Sequence, residues 1–234
     1  MRWITGCLLV TSIVLAQPEA SKLDASLLAA AGEGKAASVR ALLKQGANPN
    51  AVSAEGSTLT ALMLASRGGH TLTVKALLDA GAKVNMKADV ASGAAGVNEG
   101  VTALMLAAAS GNPSTVQALL DRKADFDAKA TYRVTADNGE TRLGGSRPVL
   151  MHAASTPVLK LLAEHGADLR VTGGDGTTLL MHAAEHLDPE AVRYLLSKGL
   201  DPRAHNQKGQ TALDLAKEAG KTGNAAVLEE ALKH

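Results

Sequence analysis

The chain has 234 residues and carries 24 Lys and Arg against 23 Asp and Glu, so it is close to electrically neutral. This balance argues against general nucleic-acid binding, which needs a basic excess to neutralise phosphates, and it gives no support to electrostatic docking on a membrane. Apolar residues make up 46% of the chain but aromatic residues only 2%. Such a composition favours thin layers of short helices over a globule anchored on large rings.

The first segment of the chain has the features of an export signal. Arg2 precedes an apolar run from Ile4 to Leu15, and Ala16 offers the small side chain that signal peptidase requires. The run is shorter than the roughly 20 apolar residues of a membrane span. We therefore predict a signal peptide over 1–16 and a periplasmic or secreted mature protein without a membrane span. A lipoprotein anchored through Cys7 is the alternative, although Cys7 precedes most of the apolar run.

Two short phrases alternate along the rest of the chain. The first is a Leu-Leu pair followed by Gly-Ala or a close variant, and successive pairs are 35, 42, 42 and 34 residues apart. The second opens with Thr, or once with Pro, and continues with Leu, Met and Ala. The pairs begin at Leu42, Leu77, Leu119, Leu161 and Leu195, and the second phrase begins at Thr60, Thr102, Pro148, Thr178 and Thr211.

Each phrase fits one helix of a helical hairpin. A Thr at the start of the second phrase is a competent N-cap, and the apolar residues after it recur at helical spacing. The Leu-Leu pair extends an apolar stripe on the other helix, and Gly81, Gly166 and Gly199 follow where a left-handed residue ends it. Because one hairpin cannot bury its own apolar face, the pattern predicts a stack of neighbouring hairpins.

The two phrases resemble the ankyrin repeat, whose 33-residue unit carries a T-P-L-H-x-A phrase and a later L-L-x-x-G-A phrase. The resemblance covers about residues 22 to 234, with Ala usually replacing the Pro of the phrase and Met its His. It implies an all-α solenoid of about six units with short β-hairpin fingers. The first and last units are expected to be caps. We place the units at 22–51, 52–86, 87–128, 129–170, 171–203 and 204–234.

Two adjacent fingers are lengthened, by about nine residues in unit three and about thirteen in unit four, against a usual loop length of ~4–6. The first insertion, 88–99, is rich in Ala and Gly and offers little chemistry. The second predicts a β-hairpin of 131–135 against 140–143 across Asn138-Gly139, in which Val134 opposes Leu143. This hairpin either binds a partner or covers a defect in unit four.

The defect is a shortening where the two helices of unit four join. Leu161 follows Ala154 by seven positions, whereas Leu119 follows Ala108 by eleven. We expect the unit to lack about one helical turn, since a turn takes 3.6 residues. A shortened layer leaves a gap in the stack, which Tyr132 or Val134 is placed to fill.

An H-x-x-E-H segment, formed by His182, Glu185 and His186, is the strongest sign of catalysis. Two histidines four residues apart share a helix face and bind zinc in some metalloproteases, so a zinc-dependent hydrolase is one candidate. The repeat explains the segment without metal, since His182 takes the position of Leu64 and Leu106. The predicted mature chain also lacks a cysteine nucleophile. We therefore predict a protein that is not an enzyme and has no metal and no cofactor.

His152 and His182 occupy equivalent positions in neighbouring units, so we expect them to lie side by side near the inner surface. The alternative to two packed histidines is a metal-binding or pH-sensitive pair, because histidine titrates near neutrality. The four methionines of the second phrase are expected to fill the core, because methionine adapts to irregular gaps. They are Met63, Met105, Met151 and Met181.

Resemblance to the ankyrin family implies a monomer that binds a protein partner on the concave face formed by fingers and first helices. The leading interpretation is a binding scaffold, and the alternative is an inhibitor or immunity protein of an exported enzyme. Tyr132, Arg133 and Arg142 of the hairpin are added as candidates because Tyr and Arg are favoured binding anchors. The candidates from repeat position are Glu55, Ser57, Arg67, Glu99, Ser110, Asp175, Glu185, His186, Lys208 and Gln210.

Overall fold

The computed structural model of the chain describes the backbone of residues 11–53, 58–91, 97–135 and 141–233. It describes the side chains of 21–53, 58–90, 98–133 and 145–233. Most of the predicted signal peptide, including Cys7, lies outside the described residues, as do Glu55, Ser57 and the Asn138-Gly139 turn. Within the described part, no helix is both long and apolar enough to cross a membrane.

Eleven α-helices in the described part of the chain pack as consecutive hairpins in two layers. The first helices of successive hairpins pack on one another in an inner layer, and the second helices do so in an outer layer. The inner helices are α1 (Thr11–Gly32), α3 (Ala61–Arg67), α5 (Ala103–Ser110), α8 (Leu179–His186) and α10 (Ala212–Glu218). The outer helices are α2 (Ala36–Lys44), α4 (Thr71–Asp79), α6 (Pro113–Leu120), α7 (Thr156–Glu164), α9 (Pro189–Ser197) and α11 (Thr222–Ala231).

Helix α1 begins before the predicted start of the first unit. It runs from Thr11, whereas the repeat pattern placed the start of unit one at Lys22, and the predicted cleavage after Ala16 falls within it. The other unit boundaries stay a prediction; each of them lies outside the helices.

The threonines of the second phrase cap the inner helices, as predicted. Thr60 Oγ1 accepts a hydrogen bond from the backbone N–H of Met63 at 3.2 Å. The hydroxyls of Thr102, Thr178 and Thr211 likewise accept from the backbone N–H three residues later. Each bond satisfies a backbone donor that the first helical turn leaves unpaired. A cap of this kind stabilises a helix by about 1 kcal/mol.

The outer helices end at residues in the left-handed conformation, also as predicted. Gly81 has a φ of +87°, and the N–H of Ala82 donates to the carbonyl of Leu77 at 3.0 Å. Unit three has Lys123 at this position, with a φ of +60°, and no other non-glycine residue described here has a positive φ. The equivalent glycines are Gly46, Gly166 and Gly199.

One continuous apolar core runs between the two layers, built mainly from Leu, Ala and Val. The four methionines of the inner helices belong to it, since none is more than 4% exposed. Their role as core filling is therefore confirmed. Small side chains dominate the rest of the core, which lets the short helices approach closely without large rings.

The two lengthened fingers form a single four-stranded antiparallel sheet in the order β1-β2-β3-β4. The hairpin of unit four, β3 with β4, was predicted. The strands of the Ala/Gly-rich insertion, β1 with β2, were not, and β2 pairs directly with β3. The strands are β1 (Ala88–Ala91), β2 (Val97–Val101), β3 (Lys129–Thr135) and β4 (Thr141–Pro148).

The register of the β3–β4 hairpin follows the prediction only at its base. Tyr132 pairs with Gly145, as a two-residue turn requires, but the register shifts by one residue between Tyr132 and Arg133. Val134 therefore opposes Arg142 and not Leu143, so the predicted pairing is wrong. A β-bulge of this kind adds one unpaired residue and increases the local twist.

Backbone hydrogen bonds connect the sheet to the fingers on both sides. On one side the N–H of Thr58 donates to the carbonyl of Asp89 at 3.3 Å. On the other, the N–H of Gly174 donates to the carbonyl of Ser146 at 2.9 Å, and the N–H of Gln207 donates to Asp175 at 3.0 Å. The fingers of units two to six are thus linked in series, which fixes the sheet relative to the helices.

Unit four has lost part of its inner helix, as the sequence predicted. In place of an α-helix it has one 3-10 turn, Val149–His152. A gap of about 540 Å³ opens beyond this turn, bordered by Ala154 and Ser155 and by the hairpin turns of units five and six. Tyr132 does not border the gap, so of the two side chains considered for filling it this one does not; the side chain of Val134 lies outside the described residues.

Candidate functional site

A pocket of about 90 Å³ lies where the sheet meets the inner helix α8. Both fingers and inner helix contribute to it, so it lies on the concave face. Its floor includes Met151 of the 3-10 turn. The other side chains around it are Tyr132, Ser146 and Arg147 from the sheet, Asp175 and Thr177 from the next finger, and His182, Glu185 and His186 from α8.

The sheet presents different residues on its two faces, because successive side chains of a strand point to opposite sides. Tyr132 lies on the face turned toward α8, and the guanidinium carbon of Arg147 lies 5.6 Å from the centre of its ring. Glu99 pairs with Thr131, the residue before Tyr132, so its side chain lies on the other face. There its Oε1 accepts from Arg133 Nε at 2.8 Å, which joins the two insertions across β2 and β3.

Four of the residues predicted from sequence therefore come together: Tyr132, Asp175, Glu185 and His186. Arg147 was not among the candidates. The sequence could have identified Arg147. The predicted hairpin register pairs it with Ala130, which places Arg147 on the same face as Tyr132.

The other candidates with described side chains do not line the pocket, and besides Glu99 and Arg133 two of them bond within the chain. Ser110 Oγ donates to the carbonyl of Ala107 at 2.8 Å, and Gln210 Nε2 donates to both carboxylate oxygens of Glu218 at 2.9 Å. The exposed candidates outside the pocket are Arg67, Arg133 and Lys208. The side chains of Glu55, Ser57 and Arg142 lie outside the described residues.

The two carboxylates of the pocket lack a strong cationic partner. Asp175 Oδ1 accepts from the backbone N–H of Thr177 at 3.0 Å, and Glu185 Oε2 lies 3.5 Å from His186 Nε2. Among the described side chains, no Lys or Arg nitrogen lies within 4.0 Å of either carboxylate. The nearest cation of the pocket, Arg147, is placed over the tyrosine ring instead.

Two largely buried histidines lie beneath this surface, as the repeat predicted. Burial, together with the nearby Arg147 guanidinium, lowers the pKa of His152 to about 4. Burial and then the neighbouring His186 lower the pKa of His182 to about 4 as well. Both are therefore neutral at pH 7. The Nε2 atom of each is buried without a hydrogen-bond partner, which costs roughly 1–3 kcal/mol per group.

The H-x-x-E-H segment brings its two histidine rings into contact. The rings of His182 and His186 are 4.7 Å apart and meet edge to face. In the part of the chain with described side chains, no three His, Cys, Asp or Glu residues are arranged to hold a metal ion. Catalytic zinc needs three protein ligands and an open position, so the geometry gives no support to the hydrolase alternative.

A protein-family model described as ankyrin repeats (3 copies) matches residues 26–130 and 150–231 of the chain. Similar curated proteins match over shorter segments. Human BCL-6 corepressor-like protein 1 is 39% identical over 61 residues, covering 26% of this chain and 3% of its own length. Mouse ankyrin repeat and SAM domain-containing protein 6 is 36% identical over 74 residues, covering 30% and 8%.

Human NAD-capped RNA hydrolase NUDT12 is 42% identical over 67 residues, covering 27% of this chain and 14% of its own length. The chain thus spans a small part of these curated relatives. A solved structure matches far more of it: the predatory endopeptidase Bd0816 from Bdellovibrio bacteriovorus in complex with the immunity protein Bd3460. The matched chain has a TM-score of 0.66 and 29% identity, and the match covers 88% of this chain and 97% of that one.

Proposed function

Because the chain belongs to the ankyrin-repeat family, we propose that it is a non-catalytic scaffold of about six stacked units that binds a protein partner. Ankyrin repeats in general form protein-interaction surfaces. The partner would contact the concave face and the lengthened fingers. We also propose that the protein is exported and monomeric, on the basis of its N-terminal apolar segment and the polar caps of the stack.

The observation that carries the proposal is the four-stranded sheet. Its two insertions are paired to each other and linked by backbone hydrogen bonds to the fingers on either side. A surface fixed in this way has little conformational entropy to lose on binding, which favours affinity. It also holds Tyr132 and Arg147 toward the concave pocket, and these residue types are enriched in binding hot spots.

A second candidate, an immunity-type inhibitor of an endopeptidase, is favoured by the match to the solved complex. That match covers 88% of this chain and 97% of the matched chain. An inhibitor is a scaffold with a single tight partner, so the two proposals share one surface. They differ in whether the partner is an enzyme and whether binding blocks its activity.

Affinity capture with the full-length chain, from extracts of the cells that produce it, tests the first proposal. A variant carrying Tyr132→Ala and Arg147→Ala runs beside it, with circular dichroism to confirm folding. A partner bound in fixed stoichiometry by the wild type and lost with the variant supports the scaffold. Equal capture by both, or no stoichiometric partner, overturns it.

Titration of the full-length chain into the captured partner tests the inhibitor candidate. If the partner is an endopeptidase whose peptide-bond hydrolysis stops at one equivalent of the chain, the inhibitor candidate is supported. A partner without peptidase activity, or one that stays active when saturated, leaves the scaffold and removes the inhibitor.

A further inference from the structure

We infer that the pocket between the sheet and α8 is a socket for one Lys or Arg side chain of the protein partner. This inference rests on the proposed function and specifies its recognition chemistry.

The shape of the pocket suits the end of a single side chain. Its volume of about 90 Å³ exceeds the roughly 10–15 Å³ needed to hold one water molecule and is well below the roughly 300–1,000 Å³ of a small-molecule pocket. The ring of Tyr132, with the guanidinium of Arg147 beside it, forms one wall.

The charges around the pocket favour a cation. Asp175 and Glu185 bring two negative charges, and neither is paired with a described Lys or Arg. Arg147 brings one positive charge, already engaged by the tyrosine ring. The Nε2 atom of His182 is buried without a partner, and burial lowers the pKa of His182 to about 4, so this ring adds no positive charge at neutral pH. The pocket is therefore net negative, and a cation from the partner would complete it.

The defect in unit four explains why the Glu185 carboxylate is accessible. The 3-10 turn of that unit ends at His152, so no further inner-helix turn stands opposite the last turn of α8. Glu185 and His186 lie in that last turn, and His186 borders both the pocket and the neighbouring gap. A full helix in unit four would cover this end of α8. The missing turn is thus what opens the socket to a partner.

The test uses small probes, so its outcome does not depend on finding the partner. Isotope-labelled full-length chain is titrated with N-acetyl-arginine amide and followed by two-dimensional NMR. N-acetyl-citrulline amide is the neutral isostere, and N-acetyl-glutamate amide is the anionic comparison. We expect the arginine probe alone to shift the backbone signals of Tyr132, Gly173 and His186.

A double variant, Asp175→Asn with Glu185→Gln, removes the two charges and keeps the Oδ1 acceptor of the 175 turn. Affinity for the arginine probe should fall about tenfold or more, since bonds to a charged group contribute ~1.5–3 kcal/mol. The control variant, Asp168→Asn with Glu164→Gln, removes two charges elsewhere. Asp168 is matched to Asp175, because its Oδ1 also accepts from the backbone N–H two residues later. It should bind the probe as the wild type does.

Three results overturn the inference: no shift with the arginine probe, equal shifts with citrulline, or stronger binding of the glutamate probe. The proposed function fails by a different measurement, the absence of a stoichiometric partner. If the pocket binds arginine and no partner is found, the cation site stands, and its assignment to a protein partner falls with the scaffold.

Discussion

Gly145 of the sheet and Gly174 of the next finger meet backbone to backbone. A Cβ built on Gly145 would lie 2.8 Å from the Cα of Gly174, and a Cβ on Gly174 would collide with Gly145 and with the amide nitrogen of Ser146. The contact accompanies the hydrogen bond from Gly174 N–H to the Ser146 carbonyl. Only glycine on both sides allows the sheet to dock this closely.

Gly174→Ala should therefore separate the sheet from its neighbour. We expect a loss of about 1–3 kcal/mol in the free energy of unfolding, the usual cost of overpacking, measured by denaturant titration. Gly32→Ala is the control, because the nearest atom to its added Cβ is 4.0 Å away. An unchanged stability for Gly174→Ala would show that the sheet is not held by this contact.

The end of the outer helix in unit three offers a gain in stability. Lys123 has a positive φ, which costs an L-residue roughly 1–2 kcal/mol, while Gly81 occupies the equivalent position with no atom within 4 Å of an added Cβ. Lys123→Gly should stabilise the protein by up to about 1 kcal/mol, and Gly81→Ala should destabilise it by about 1–2 kcal/mol. Thermal unfolding of the two variants checks the signs. If Lys123→Gly and Gly81→Ala changed the stability in the same direction, backbone strain would be ruled out as the cause.

The stability of the protein should fall on acidification between pH 6.5 and 4. The pKa values of His152 and His182 are lowered from 6.5 to about 4 in the folded protein, so the unfolded chain binds protons first. Their contribution is fully present above pH 6.5 and is lost as the pH falls through this window. This difference in proton binding between the unfolded and folded states predicts a loss in the free energy of unfolding on the order of 2–3 kcal/mol for each histidine.

Leucine occupies the equivalent position in units two and three, so His152→Leu with His182→Leu is the matching variant. Denaturant unfolding at pH 7.5 and at pH 4.5 measures the effect. The variant should lose much less stability than the wild type between these two conditions. An equal loss in both proteins would assign the acid sensitivity to other groups.

The two faces of the sheet should differ in their effect on partner binding. Tyr132→Ala or Arg147→Ala should weaken binding of the captured partner at least about tenfold, since buried Tyr and Arg anchors commonly contribute 2 kcal/mol or more. Arg133→Ala should change it little, because Arg133 pairs with Glu99 on the opposite face. Isothermal titration calorimetry measures all three. A larger loss of affinity for Arg133→Ala than for the other two variants would mean that the partner binds the opposite face of the sheet, which contradicts the proposed site.

The sequence predicted those parts of the fold in which local chemistry and repetition agree. The Thr60 and Thr102 caps, the Gly81 helix end and the shortened unit four all follow from residues that act within one or two turns of their own position. The pairing of β2 with β3 could not be predicted this way. Segment 88–99 lacks the alternation of apolar and polar residues that marks a strand, and its pairing depends on a neighbour about thirty residues away.

The site was predicted incompletely for a related reason. Repeat position selected Asp175, Glu185 and His186, which line one pocket, because each unit repeats the same finger and inner helix. It carried no information about which face of an inserted hairpin turns inward. Arg147 and Arg133 are the same residue type on the same hairpin, and only the register separates the one in the pocket from the one outside it.

The pairing of β2 with β3 also makes the two insertions depend on each other. A two-stranded hairpin by itself is only marginally stable in water. Deleting either insertion would remove the pairing of Asn98 with Tyr132 and of Glu99 with Thr131, and it would expose a strand edge of the kind that promotes aggregation. The two insertions therefore form a single structural element, even though a whole helical hairpin separates them along the chain.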